Sequence, residues 1–298
     1  MKYIAITAAL ATLAVAPLAA AWGDLGHRTV GYLAQHYFTD AASRLVQAIL
    51  QPTDTFDISD GAVWPDKVRR QREYTAGWHF IDAEDTPPQS CSVDYSRDCP
   101  DQKGCVISAI INQTALLSDT SQDTTIRNEA LKYLLHFLGD VHQPLHTEAI
   151  DRSGNQIKVC FDGSCRKNLN LHEVWDTEIP NKINGLKREP KVDEEKETAK
   201  NWAEEMFQSG GKVSVRDFTA SSTQDCALQY AKETNVYVCS YVLKDGVDGL
   251  EGQDLGGEYY DGAAPIVKAQ ILAAGQRLGA WINAIAASLG SGETKMDL

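Results

Sequence analysis

Residues 131–146 read LKYLLHFLGDVHQPLH and carry two patterns at once. Leu131, Leu134, Leu135 and Leu138 fall at i, i+3, i+4 and i+7, the spacing that lines one face of an α-helix. His136 and Asp140 are four apart, one turn apart on a common face. At about 100° per residue that face lies nearly opposite the leucines. One face then packs into a core while the other presents an imidazole and a carboxylate. Pro144 lacks a backbone N–H and breaks the helix, so the chain turns before His146.

The same period recurs on either side. Ile271, Leu278, Ile282 and Ile285 mark a later helix, and residues 25–37, 40–50, 106–118, 128–142, 193–208, 222–243 and 264–288 are all candidate helices. Only residues 156–170 look like strands, because Ile157, Val159 and Phe161 alternate ahead of the Asp162-Gly163 turn, a hairpin signal. No internal repeat and no long Pro/Gly/Ser linker divides the chain, and the Lys- and Glu-rich run 187–200 reads as a solvated loop and helix face. The expectation is a mainly α, single-domain helical fold with one small β-hairpin.

Five histidines sit in suggestive company: His27, His79, His136, His146 and His172. His172 and Asp176, in LHEVWD, repeat the i, i+4 arrangement of His136 and Asp140. Zinc takes three or four N and O ligands in roughly tetrahedral geometry, and paired helix positions supply two at once. One such pair is more often a hydrogen-bonded core pair. Two pairs, His146 six residues beyond Asp140, and acids near the remaining histidines favour zinc. His36 and His142 read as structural.

Residues 1–21 read as a signal peptide. Lys2 is the positive start, 4–15 an apolar run, and Ala19-Ala20-Ala21 a small-residue cleavage site, so mature protein begins at Trp22. No later stretch reaches the roughly 20 apolar residues of a membrane span. All seven cysteines fall after the leader, and an oxidising compartment makes disulfides the default. Cys99 with Cys105, and Cys160 with Cys165, close short loops; an odd count leaves at least one thiol unpaired. The chain has 28 basic and 41 acidic residues among 298, a net charge of -13. That argues against gripping duplex nucleic acid through a broad basic face, since such binding runs on counterion release. It leaves open a nucleic-acid enzyme whose positive charge is concentrated in metal ions.

The motifs WGDLGH (22–27), VWPD (63–66), WHFID (78–82), HFLGDVHQPLH (136–146), SGN (153–155) and NLHEVWD (170–176) occur in this order. Together with PPQSCSVDYSRDC (87–99), VYVCSYVL (236–243) and GEYYD (257–261) they cover nearly the whole mature chain. It resembles the fungal zinc-dependent, single-strand-specific nucleases of the S-one/P-one type, which have plant and bacterial relatives. The resemblance implies a nuclease domain over 22–298, holding three Zn2+ in a helical cleft. One zinc would take Asp66, His79, His136 and Asp140. A second would take Trp22, through its α-amino nitrogen and carbonyl oxygen, with His27 and Asp140. The third would take His146, His172 and Asp176.

It further implies a secreted, extracellular, monomeric enzyme cutting single-stranded RNA and DNA, and nucleotides as a 3′-nucleotidase, by in-line attack of a zinc-held hydroxide that leaves 5′-phosphates. Asp66 would orient the attacking water. Arg69, where relatives often carry Lys, and Asn155 would bind phosphate oxygens, and Phe80 and Asp82 would hold the base. The family pairs Cys91 with Cys239 and Cys99 with Cys105. Proximity makes Cys160–Cys165 the extra bridge and leaves Cys226. Asn112-Gln113-Thr114 is the one N-glycosylation sequon. Zinc phospholipases C share the terminal Trp and the trinuclear site, but the Phe80/Asp82 pair and the cysteine pattern favour the nuclease. A noncatalytic zinc binder would not require Arg69 and Asn155.

Overall fold

The structure, a computed structural model, describes residues 22–50, 57–100, 102–212 and 223–291; the leader 1–21 lies outside them. Eight longer helices carry the fold: α1 (Asp24–Gln35), α2 (Asp40–Leu50), α3 (Ile58–Val68), α4 (Val106–Ser118), α5 (Thr124–Asp140), α6 (Val192–Gln208), α7 (Thr223–Tyr237) and α8 (Glu258–Ser291). Seven answer the helices expected from periodicity. α3 was not expected: Gly61 and Pro65 interrupt its pattern. It forms because Asp57 accepts the Ser59 N–H at 2.9 Å as an N-cap, worth about 1 kcal/mol. Its apolar face, Ile58, Ala62 and Val63, is buried.

α1 is the hub, packed against α3, α6 and α8, while α5 runs between α3, α4 and α8. The Leu131/Leu134/Leu135/Leu138 stripe of α5 is fully buried. The opposite face, which presents His136 and Asp140, is buried as well, both residues being 0% exposed. Helices α1 and α3 close over that face, so the pair looks into a second interior instead of solvent. Three buried tryptophans each find an acceptor, as an indole N–H out of water requires: Trp22 Nε1 donates to Gly139 O at 3.0 Å, Trp175 to Tyr259 Oη at 2.9 Å and Trp281 to Thr114 Oγ1 at 3.0 Å.

The expected hairpin at 156–170 is present as bridges, not as a ladder. Lys158 pairs antiparallel with Asn170, and Phe161 and Ser164 exchange both backbone bonds around Asp162-Gly163. Cys160 instead pairs in parallel with Asp254, which diverts the strand from its own partner. Disulfides join Cys91 to Cys239, Cys99 to Cys105 and Cys160 to Cys165. The first spans 148 residues and, on chain-entropy grounds, contributes about 5 kcal/mol. Cys226 is half-buried and outside these bridges. Asn112 lies on the exposed face of α4. Endoglycosidase treatment of protein secreted by a eukaryotic host is expected to lower its mass by one N-glycan; an unchanged mass would rule the glycan out.

Candidate metal centre

Six segments deliver the chemistry. α1 brings His27, α3 brings Asp66, and the 3-10 turn Glu73–His79 ends on His79. His136 and Asp140 come from α5, and His146 from the turn Pro144–Thr147, capped by Gln143, whose Oε1 accepts the Leu145 N–H at 2.5 Å. His172 and Asp176 lie on a helical run over 171–183, whose middle, Val174–Glu178, widens into a π-helix. Asn170 caps that run by accepting the Glu173 N–H at 2.9 Å.

The side chains converge into three groups that could hold metal ions: His27 with Asp66 and His136, His79 with His136 and Asp140, and His146 with His172 and Asp176. Asp140 joins the first two. Its Oδ1 is 3.2 Å from His27 Nε2 and 3.3 Å from His136 Nε2, and its Oδ2 is 3.0 Å from His79 Nδ1. Asp66 Oδ1 lies 3.6 Å from both His79 Nδ1 and His136 Nε2. His27 and His136 stack with ring centroids 3.8 Å apart. Gly139 permits this, because a Cβ there would come within 2.9 Å of His27 Nδ1.

Proton positions test whether a cation fits. His136 Nδ1 lies 2.7 Å from Ala62 O, His146 Nδ1 2.6 Å from His79 O, and His172 Nδ1 2.5 Å from Ser153 O. A carbonyl only accepts, so each Nδ1 carries the proton and each neutral ring turns its Nε2 lone pair into the cluster. With both rings neutral, His146 Nε2 and His172 Nε2 face each other at 3.0 Å, lone pair towards lone pair, with the Asp176 carboxylate 3.1 Å from His172. Burial holds His136 and His146 well below the ordinary imidazole range, whereas Asp176, outweighing the burial of His172, draws that ring above it, so a cation at this place would take over from a proton. Burial also pushes Asp66 and Asp140 up to about 7 each. A dication stabilises all of these groups in their deprotonated form, and backbone-anchored imidazoles are the usual support of metal ligands.

Four residues around the cluster are the expected substrate contacts. Arg69 is buried beside Asp66, Asp140 and Asp176, which draw its charge towards both halves of the cluster, and its Nη2 donates to Ala76 O at 3.1 Å. Phe80 is half-buried in extended backbone, its carbonyl accepting the Val106 N–H. Asp82 opens to solvent, yet the protein packed around it still pushes its carboxyl up to about 6, against the pull of the Ser153 hydroxyl. Asn155 is drawn elsewhere: its Nδ2 donates to Arg152 O at 2.8 Å, leaving the second amide N–H. Gln143, not singled out from sequence, donates to Asp176 Oδ1 at 2.5 Å and so orients it. His142 is structural, bonded to Leu138 O and Arg277, and His36 stacks on Phe207. Asp85 and Glu148 form a further carboxylate pair beside Cys91, but that sulfur is in a disulfide and offers a metal nothing useful.

Helices folded around clustered, lone-pair-forward His/Asp groups, with a buried guanidinium in the field of their carboxylates, bring together side chains that could hold metal ions and meet an anion. The chain's sequence matches the S1/P1 Nuclease family model over residues 22–287. It is 39% identical over 286 residues to Nuclease S1 of Aspergillus oryzae, covering 93% of this chain and 96% of that protein. It is also 39% identical over 274 residues to Nuclease P1 of Penicillium citrinum, covering 89% and 97%. Endonuclease 2 of Arabidopsis thaliana is 32% identical over 288 residues, covering 92% and 93%. The chain belongs to the S1/P1 nuclease family, and with it to the enzymes that hydrolyse phosphodiester bonds.

Proposed function

We propose that the mature chain is a secreted endonuclease holding three Zn2+, which hydrolyses single-stranded RNA and DNA to 5′-phosphorylated products and removes phosphate from 3′-nucleotides. The observation that carries this reading is the set of imidazole and carboxylate lone pairs converging around Arg69. The nine positions Trp22, His27, Asp66, His79, His136, Asp140, His146, His172 and Asp176 are the ones that would hold the metal. Zinc bound there would acidify a coordinated water and neutralise charge on the phosphate.

The chain's own residues do the rest. Asp66 Oδ1 is buried and has no hydrogen-bond donor among the described residues, so it can accept a proton from the attacking water and aim it. Arg69 donates two parallel N–H bonds to phosphate oxygens as charge builds on them, which an ammonium would do as a point charge. The free N–H of Asn155 can reach a third oxygen. Phe80 stacks the base and Asp82 accepts from its edge; a duplex hides base faces, so single strands are preferred. Secretion follows from the leader and agrees with three disulfides, and no helix among the described residues is long and apolar enough to cross a membrane.

The test is a metal count on the purified protein with parallel assays on a single-stranded oligonucleotide, the same sequence as duplex, and phosphatidylcholine. Cleavage of the single strand alone is expected. Hydrolysis of phosphatidylcholine without nuclease activity would overturn the reading. Phe80→Ala is expected to weaken mononucleotide binding by about 1–3 kcal/mol with zinc content intact; equal activity on every dinucleotide would remove Phe80 from the base site.

A further inference from the structure

α3 runs out into a cluster of cations. Lys67, Arg69, Arg70 and Arg72 occupy four of six consecutive positions in a chain of net charge -13, and they have different fates. Arg69 is buried among the cluster carboxylates. Arg72 is committed to Glu129 through two 2.5 Å bonds and lies over the Trp64 ring. Lys67 lies in the field of Glu195. Arg70 is exposed, and among the described residues no carboxylate pairs with it.

Four residues further, Tyr74 is 65% exposed, the most exposed large apolar side chain among the described residues. Its ring stands edge-on to Trp78, centroids 5.5 Å apart at 76°, and Trp78 immediately precedes His79. The Arg69 bond to Ala76 O ties this same turn to the buried guanidinium. Lys103, also exposed and without an ion pair among the described residues, backs against Gly77 in the turn. An aromatic face, two uncommitted cations and the reacting centre therefore share one short stretch of surface. On an otherwise acidic protein, a polyanion is drawn to this place.

We propose that Tyr74, Arg70 and Lys103 form a strand-binding subsite for one or two further nucleotides of a single-stranded chain, next to the nucleotides that flank the scissile phosphate. This rests on the nuclease reading above and extends it beyond the Phe80/Asp82 base pocket. Stacking on Tyr74 accepts any base, because every base has a π-face. Arg70 and Lys103 meet backbone phosphates and carry no sequence information. The subsite gives long single strands an advantage over dinucleotides.

The experiment compares kcat/KM of the zinc-loaded protein on an octanucleotide and on the dinucleotide that forms its cleavage point. The wild-type ratio is expected to exceed one. Tyr74→Ala should lower it by roughly fivefold or more, chiefly through KM, and Tyr74→Phe should restore it. Arg70→Gln should lower the salt slope of octanucleotide binding by about 0.7, the value for one phosphate of a single strand. Equal losses on both substrates, or none, would overturn the subsite while the nuclease reading stands. A wild-type protein that cuts neither substrate overturns both.

Discussion

Protein carrying one methionine ahead of Trp22 is expected to hold one zinc fewer than protein that begins at Trp22, and to lose most of its hydrolytic activity. Trp22 is completely buried. Its indole is fixed to Gly139 O at 3.0 Å and its carbonyl accepts the His27 N–H at 3.3 Å. The backbone of Trp22 is therefore anchored beside His27, whose Nε2 lies 3.2 Å from Asp140. A free α-amino group there offers a lone pair, whereas an amide nitrogen offers almost none. The amine's ordinary pKa is about 7.7–8.0, and a ligand must be deprotonated to bind. Acid should accordingly release this zinc as protons compete for the amine, and raising the pH should restore it. The extended form should still fold, since α1, α5 and the disulfides do not depend on the amine. Zinc stoichiometry and turnover of the two forms, side by side, decide it; three zincs and full activity in the extended form would sink the terminal ligand.

The helical fold was legible because its long helices bury regular stripes, as α5 and α8 do. α3 was not, because Pro65 and Gly61 are breaker signals and only tertiary packing against α1 and α5 overrides them. The hairpin was legible in part: alternation at Ile157, Val159 and Phe161 was genuine and the turn closes between Phe161 and Ser164, but Cys160 pairs with Asp254, 94 positions away. At the site, periodicity paired His136 with Asp140 and His172 with Asp176, both of which meet in space. It could not bring His27, Asp66 and His79 to them; only the likeness of whole motifs did. The groups that set the proton positions are the carbonyls of Ala62, His79 and Ser153. Backbone atoms leave no mark in sequence. Gln143 left a faint one, a polar residue fixed between Asp140 and His146, and its role appears only once Asp176 is beside it.

Asp140→Asn is expected to have the widest effect of any single substitution in the cluster. The change is nearly isosteric, and the helix end survives because the Val141 N–H bonds to Phe137 O and Gly139 O, not to this side chain. What changes is charge and the direction of hydrogen bonding. Among the described residues Asp140 is the one carboxylate within 3.3 Å of His27, His136 and His79 together, so it is placed to serve both groups that contain these histidines. An amide presents a neutral oxygen to one of them and an N–H pair to the other, where a metal would require an anion. Losing the metal contribution, several kcal/mol of charge stabilisation, corresponds to roughly a hundred- to ten-thousandfold in turnover at 1.36 kcal/mol per decade. The His146/His172/Asp176 group does not include Asp140. The substituted protein should therefore retain about one zinc of three, lose activity on every substrate alike, and keep its far-ultraviolet helical signal. Retention of three zincs, or a loss confined to particular bases, would show that Asp140 does not bridge.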